Sequence, residues 1–285
     1  MNKKVVVTGG SGLLGPFVVK EFLEHGYDVL NVDTKLPREA LCPTVITDLT
    51  QLGQAYGVLQ GAHAVVHMAA IPVAYSHPNE VTFQNNVMST YNILEAAAGL
   101  GIKRAVTASS ESSYGIVFAV HPFSPQYVPI DEDHPQLPQD AYGLSKIVNE
   151  KTGDMFYQQT GMQVVSFRIG NIITPAMYKR FPEFIHQPEE RERILWSYVD
   201  ARDVASACRL AVECDGLGSI AINLAADDTS MDVKSRDLMR ARYPDVTDFR
   251  ESLDGFETLL SNKLAKERLG WQPAYSWREE VEKTQ

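Results

Sequence analysis

The chain has 285 residues, of which 44% are hydrophobic and 22% charged. Such a composition belongs to globular proteins in water, and the length suits one α/β domain carrying a smaller lobe. A formal net charge of −10 argues against nucleic acid or an anionic membrane as the main partner, because both are held by basic surfaces. Cys42, Cys208 and Cys214 are odd in number and lack metal-ligand spacing, which points to reduced thiols and to no metal. No run is long and apolar enough to read as a signal peptide or a membrane span, so cytoplasmic residence is expected.

The first run, Lys4 to Thr8, is short, β-branched and stopped by glycines, the pattern of a strand buried on both faces. Helical spacing of Leu13, Leu14, Phe17, Val18, Phe22 and Leu23 follows and closes at His25-Gly26. Further strands are expected at 28–33, 43–48, 64–69, 104–109 and 163–170, with helices near 51–60, 79–100 and 139–160. A Pro-rich loop covers roughly 115–138. Strands alternating with helices imply an α/β fold, a Rossmann-type doubly wound parallel sheet with helices on both faces. Beyond residue 170 the alternation loosens into a loop with Pro175, Pro182 and Pro188, a strand at 194–199 and a helix at 202–213. A strand at 219–224 and helices near 232–242, 262–269 and 276–283 complete the pattern. The expected division is a dinucleotide-binding domain over 1–170 and a small substrate lobe over 171–285. That lobe interleaves with the last sheet elements at the carboxyl edge, where such sheets bind ligands.

Gly9, Gly12 and Gly15, with Leu13 and Leu14 between them, separate the first strand from the first helix. A dinucleotide pyrophosphate needs backbone amides at short range and the positive end of a helix, and glycines clear the space for it. Asp33 ends the second strand. A carboxylate there accepts ribose hydroxyls and repels a 2′-phosphate, favouring NAD over NADP. Lys35 and Arg38 read as loop charges that soften this repulsion little. Tyr142 and Lys146, four positions apart, share a helix face, but Tyr-x-x-x-Lys alone is a common chance match.

The company of that pair is more specific. Thr8-Gly9-x-x-Gly12-x-x-Gly15, Asp33, Asp48-Leu49 and His67-Met68-Ala69-Ala70 are followed by the stretch from Asn85 to Ala97. Ser109-Ser110, Tyr142-Gly-Leu-Ser-Lys146 and Arg168-Ile-Gly-Asn171 then complete the series. In that order they resemble the extended short-chain dehydrogenase/reductase superfamily and, within it, the NAD-dependent epimerase/dehydratase family. The likeness covers residues 3 to about 215 well and the tail more loosely. It implies NAD as cofactor, with Asp48 and Leu49 beside the adenine and Met68, Ala69, Ala70, Ala108, Ile169 and Ile172 along the dinucleotide. It further implies Ser110, Tyr142 and Lys146 as the catalytic group, with Tyr142 and Lys146 also touching the cofactor. Asn86 resembles the asparagine that supports such sites, and Asn85 competes for the role. Free tyrosine, with a pKa of about 10, is too protonated at neutral pH to act as a base. A lysine ammonium one turn away and a positive nicotinamide ring favour the phenolate.

The same likeness makes the helix at 79–100 and the Tyr142 helix a candidate homodimer interface, although their apolar faces would also pack within a monomer. His67 reads as a hydrogen-bonded structural histidine, and Asp131-Glu-Asp-His134 as a solvated loop in preference to metal ligands.

Dehydratases of the family carry an Asp-Glu pair after the serine position, whereas this chain has Glu111 and Ser112. Only one of the two acid–base groups for water elimination is present. Nucleotide-sugar epimerases have a longer segment where this chain runs directly from Asn171 to Tyr198, and Trp196 stands where an arginine is expected. Arg180, Arg191 and Arg193 remain in that loop. The compact layout is similar to that of uronate dehydrogenases, and implies that Arg180 clamps a carboxylate in bidentate fashion. Its bland alternative is a surface charge. Glu111, Ser112, Asn171, Arg180 and Trp196 are therefore the expected substrate contacts. The expected activity is NAD-dependent oxidation of a hydroxyl on a small carbohydrate or sugar acid. A UDP-sugar 4-epimerase that retains NAD is the alternative, with a dehydratase or a non-catalytic dinucleotide sensor further behind.

Overall fold

A computed structural model describes residues 3–282. Lys4–Thr8 forms β1, Gly15–Glu24 α1, Asp28–Asp33 β2, Thr44–Ile46 β3, Leu52–Leu59 α2 and Ala64–His67 β4. Asn79–Gly99 forms α3, Arg104–Ser110 β5, Ala141–Thr160 α4 and Gln163–Ile169 β6. Ile172–Ile173 is β7, Val199–Asp200 β8, Ala201–Glu213 α5 and Ser219–Leu224 β9, followed by α6 (Ser235–Arg242), α7 (Lys263–Leu269) and α8 (Trp277–Glu282). The expected helix at 276–283 thus ends at the last described residue, and Lys283 lies outside the described residues.

Seven strands form one sheet in the order β3-β2-β1-β4-β5-β6-β9, and every adjacent pair is parallel. The expected Rossmann-type sheet is present. Strand order reverses beside β1, which pairs with β2 on one edge and β4 on the other. A crevice opens at the carboxyl ends of strands at such a reversal. Helices cover both faces. Val18, Val19 and Phe22 of α1 pack with α5 against Val5 and Val7 of β1. Ile93, Leu94 and Ala97 of α3 and Phe156 of α4 pack with α2 against Val6 and Val65. Burial of each larger side chain contributes roughly 1.5–3 kcal/mol, so the positions of the β1 and β4 ends are strongly determined.

Beyond β6 the chain divides its work. β9 completes the main sheet, α5 packs on α1, and β7 pairs with β8 as a separate two-stranded ribbon. Two smaller apolar clusters, one around Trp196, Met231 and Leu253 and one around Tyr178, Phe181 and Trp277, hold the rest together. The Pro-rich loop joins them through bridges from Val128 to Phe249 and from Ile130 to Leu260.

The expected strand at 194–199 is reduced to β8, which begins only at Val199. Glu192–Ile194 is a 3-10 turn, and Leu195 and Trp196 take left-handed φ values of 48° and 53°. Their β propensity loses to burial: Trp196 is enclosed and its indole donates to Pro188 O at 2.7 Å. Among the described residues no helix is long and apolar enough to cross a membrane. The three cysteines are free, and no group of three or more His, Cys, Asp or Glu among the described residues is disposed to hold a metal ion.

Candidate active site

A cleft of about 800 Å³ lies across the carboxyl ends of β1, β4, β5 and β6. At one end the chain leaves β1 through Gly9, whose φ of +74° is left-handed. A Cβ there would stand 2.7 Å from Ala69 N, and one at Gly15 would stand 2.2 Å from Gly9 O. Both glycines are therefore demanded by close backbone approach, leaving the amino end of α1 bare towards the cleft. Asp33 is fixed across it, its Oδ2 accepting from Ser11 N at 2.9 Å and its Oδ1 from Thr34 N at 2.7 Å. Asp48 caps the next turn. Its Oδ1 accepts from the Thr50 hydroxyl at 2.7 Å and the Thr50 amide at 2.9 Å, which lowers its pKa. Leu13, Leu14, Leu49, Met68, Ala69 and Ala70 complete this end of the lining.

The other end is built on β5 and α4. β5 stops at Ser110, whose Oγ accepts from Ser112 N at 3.1 Å and starts a 3-10 turn over Glu111–Tyr114. Asp140 caps α4, accepting from Gly143 N at 2.7 Å, so Tyr142 falls in the first turn and Lys146 one turn later. The ring of Tyr142 and the Nζ of Lys146 are 5.3 Å apart, and Nζ donates to Ala108 O at 2.7 Å. Both side chains are buried in the wall of the cleft. Burial pushes Lys146 down to about 8, against the pull of Glu150.

Tyr142 departs from the expectation of a lowered pKa. Burial pushes the phenol up to about 12; its hydrogen bond with Ser110 works the other way, and the charges of Glu111 and Asp140 raise it further. Desolvation dominates because the phenol is withdrawn from water.

Glu111, Ser112 and Asn171 line the cleft beyond Tyr142. The Glu111 carboxyl accepts from Ser197 Oγ at 2.7 Å. Burial raises its pKa to about 8, with Ser197, Arg191 and the Asn171 amide each opposing the shift. Val117, Phe118 and Ile194 close this end, and the Phe118 ring meets the Tyr142 ring edge-on at 6.1 Å.

Ala108, Ile169 and Ile172 also line the cleft, and three expected residues do not. Arg180 is exposed and pairs with Glu183 at 3.3 Å, the surface-charge alternative, while Trp196 is sealed in the lobe. Asn86 is a buried prop: its Oδ1 accepts from Ile71 N at 2.8 Å and its Nδ2 donates to Ile71 O at 3.0 Å. Asn85 is the one in the cleft wall. The 131–134 loop is solvated only in part: Asp133 is exposed, while its neighbours are tied down. Glu132 Oε1 accepts from Asn223 N at 2.7 Å, and buried His134 accepts from Gln126 N at 3.0 Å. His67 is structural as expected, bonded to Thr8 and Thr90, with burial lowering its pKa to about 3. Sequence reading missed Ile71, Pro72, Val73, His77, Val117, Phe118 and Ile194. They sit in irregular segments, where no periodicity marks which side faces inward.

The family profile described as "NAD dependent epimerase/dehydratase family" matches residues 5–225. Among similar proteins, a UDP-glucose 4-epimerase of Corynebacterium glutamicum is 26% identical, covering 96% of this chain and 92% of its own. An L-arabinose 1-dehydrogenase (NAD(P)(+)) of Haloferax volcanii is 28% identical over 84% of this chain and 94% of its own. Among solved structures, a short-chain dehydrogenase/reductase superfamily protein from Agrobacterium tumefaciens with bound NAD superposes with a TM-score of 0.76. It is 20% identical, covering 98% of this chain and 95% of that one.

Proposed function

The chain belongs to the NAD dependent epimerase/dehydratase family, and on that footing we propose that it is an NAD-dependent oxidoreductase acting on a hydroxyl of a small carbohydrate. The observation that carries this reading is the convergence of Ser110, Tyr142 and Lys146 on one wall of a cleft whose other end is a glycine-cleared helix terminus facing Asp33. A Cβ would fill the space at Gly9 and Gly15, so those residues fit a pyrophosphate, and Asp33 fits the adjoining ribose. When bound, NAD supplies the hydride acceptor.

The remaining work falls to the protein's own groups. Ser110 Oγ holds the reacting oxygen, and Tyr142 Oη takes its proton in oxidation or returns it in reduction. With its pKa raised to about 12 in the protein alone, the phenol is protonated at neutral pH, the form that donates to a carbonyl oxygen. Lys146, tied to Ala108 O at 2.7 Å, stands where its charge favours the phenolate. Phe118, Val117 and Ile194 shield the site from water.

A second reading, an epimerase that reduces the transient ketone on its other face, draws support from the full-length likeness to a UDP-glucose 4-epimerase. One assay separates the two. Purified protein is given NAD⁺ with free aldoses, uronates or UDP-hexoses while NADH absorbance and sugar composition are followed. Net NADH with a free sugar supports dehydrogenation; interconverted UDP-sugars without NADH growth overturn it. Tyr142→Phe is expected to lower kcat/KM by about 10²–10⁴. Unchanged activity in that variant refutes the proposed chemistry.

A further inference from the structure

The charged groups in the cleft are unevenly placed. Asp33, Lys35 and Asp48 stand at the cofactor end; His77, Glu111 and Lys146 stand with Tyr142 at the other. The only lysine there already spends a donor on Ala108 O.

The arginines that would greet an anionic substrate are turned elsewhere. Arg180 pairs with Glu183 on the surface. Arg193 donates to Ala119 O at 3.3 Å. Arg191 donates to Ser230 Oγ at 2.8 Å, Asn171 Oδ1 at 2.9 Å and Ser197 O at 3.2 Å, with its guanidinium 4.8 Å from the Phe184 ring centre. Arg168 grips Glu150 through two nitrogens. None of the four lines the cleft.

Besides Lys146 and His77, an acid and an amide face the substrate end. Glu111 is buried, lines the cleft beside Ser110 and Tyr142, and is anchored from behind by Ser197 Oγ at 2.7 Å. Arginine can only donate, so its bond to Asn171 fixes that amide with the oxygen inward. The Nδ2 donor is left for a ligand oxygen. An acid and an amide donor suit sugar hydroxyls, which both give and accept hydrogen bonds. A carboxylate or phosphate there would meet no arginine to pair with, and once Glu111 ionises it would stand beside a second anion in a site of low dielectric.

We propose that Glu111 is the specificity-determining residue of the substrate end, and that the substrate is an uncharged polyhydroxylated carbohydrate, carboxylate- and phosphate-bearing sugars being turned away. The inference rests on the oxidoreductase reading for the chemistry and on Glu111 for the choice of substrate. The groups facing Glu111 are Tyr142 from α4, Tyr114 from its own turn, and Arg191, Arg193 and Ser197 from the segment before β8. Burial lifts the acid to about 8. It therefore donates to a hydroxyl at neutral pH and is mostly ionised at pH 9, where discrimination against anions sharpens; Lys146, lowered to about 8 in the same cleft, loses charge over the same range and acts in the same direction.

Calorimetric titration of the NADH-loaded protein tests this with free aldohexoses and aldopentoses, the matching uronates and terminal phosphates, and UDP-glucose. The tightest ligand is expected to be uncharged and to bind about tenfold or more tighter than its anionic counterparts at pH 9. The wild-type preference is expected to be smaller at pH 7 than at pH 9, and that change is expected to shrink in Glu111→Gln, where Lys146, lowered to about 8, is the cleft group still losing charge across the range. An anionic sugar as the tightest ligand, no binding of any uncharged sugar, or a change of preference with pH as large in Glu111→Gln as in the wild type overturns the inference. NADH production in the separate turnover assay decides the oxidoreductase reading, so the two can fail independently. The ranking of charged against uncharged ligands by the wild-type protein needs no variant to fold.

Discussion

Arg168→Met offers the sharpest test of how the catalytic wall is held. Nε and Nη2 of Arg168 meet the two oxygens of Glu150 at 3.0 and 2.8 Å, and Nη1 donates to Tyr114 Oη at 3.0 Å and Glu132 O at 2.9 Å. The side chains of the pair are only 7% and 8% exposed. One guanidinium therefore ties α4, a turn beyond Lys146, to the turn that follows Ser110 and to the 131–134 loop. Methionine fills much of the volume and supplies no donor. Glu150 is left as a buried carboxylate with Ser109 Oγ at 2.5 Å and Gln136 Nε2 at 3.3 Å.

Removing one partner of a buried ion pair costs about 3–5 kcal/mol, because the charge left behind is desolvated and unpaired. At about 2–4 °C per kcal/mol for a chain of this size, the melting temperature is expected to fall on the order of 10 °C. Urea titration with a constant m-value measures the loss directly. The double variant Arg168→Met/Glu150→Leu removes both charges and is expected to recover most of it, since an apolar replacement of a whole buried pair is often near neutral. A single-variant loss below about 1 kcal/mol, or a double variant no more stable than the single, refutes this reasoning.

Gly9→Ala puts a Cβ 2.7 Å from Ala69 N at a φ of +74°; NADH fluorescence titration is expected to show affinity weakened about tenfold or more, with the helices intact by circular dichroism. Stability is expected to fall between pH 6.5 and 8. Glu111, Glu132 and Asp203 have pKa values raised by burial to about 8, 7 and 7, so the folded state holds protons that the unfolded state has released, and raising the pH favours unfolding. Glu111 alone accounts for about 1–2 kcal/mol of that fall, which Glu111→Gln should remove in melts across this range; a flat wild-type profile contradicts it. The expected homodimer is proposed through α3 and α4, where Met88 and Met155 are 39% and 44% exposed. Met88→Glu with Met155→Glu is expected to shift the protein to a monomer in light scattering, and a wild-type monomer sinks the proposal.

The cofactor end was legible because its residues sit where regular elements begin and stop. Gly9, Gly15 and Asp33 follow strands whose β-branched runs announce themselves, and spacing alone sets Tyr142 and Lys146 on one face of α4. Helix spacing did not separate Asn85 from Asn86. Both project from α3 at adjacent angles, and the choice is made by Ile71, fifteen residues upstream, which occupies the Asn86 amide. Nor did propensity place Trp196, whose strand-like neighbours are overridden by an indole partner in a loop.

The substrate end was harder to read for one physical reason: its side chains are oriented by partners far along the chain. Arg180 and Arg191 are equivalent on paper, two arginines in one irregular segment. Arg191 turns inward because Ser230, thirty-nine residues on, accepts from it, whereas Arg180 finds Glu183 one turn away and stays in water. Glu111 likewise takes its character from Ser197, eighty-six residues on. Ser197 fixes its position, and without the surrounding burial it would be an ordinary acid, ionised at neutral pH. The segments that supply Ser197 and Ser230 hold none of the three proposed catalytic residues, yet they turn Arg191 out of the cleft and anchor Glu111. On the proposed reading the segment before β8 acts on selectivity through Glu111 and Asn171, so a change confined to Arg191, Ser197 or Ser230 should alter which sugar binds before it alters how a hydroxyl is oxidised.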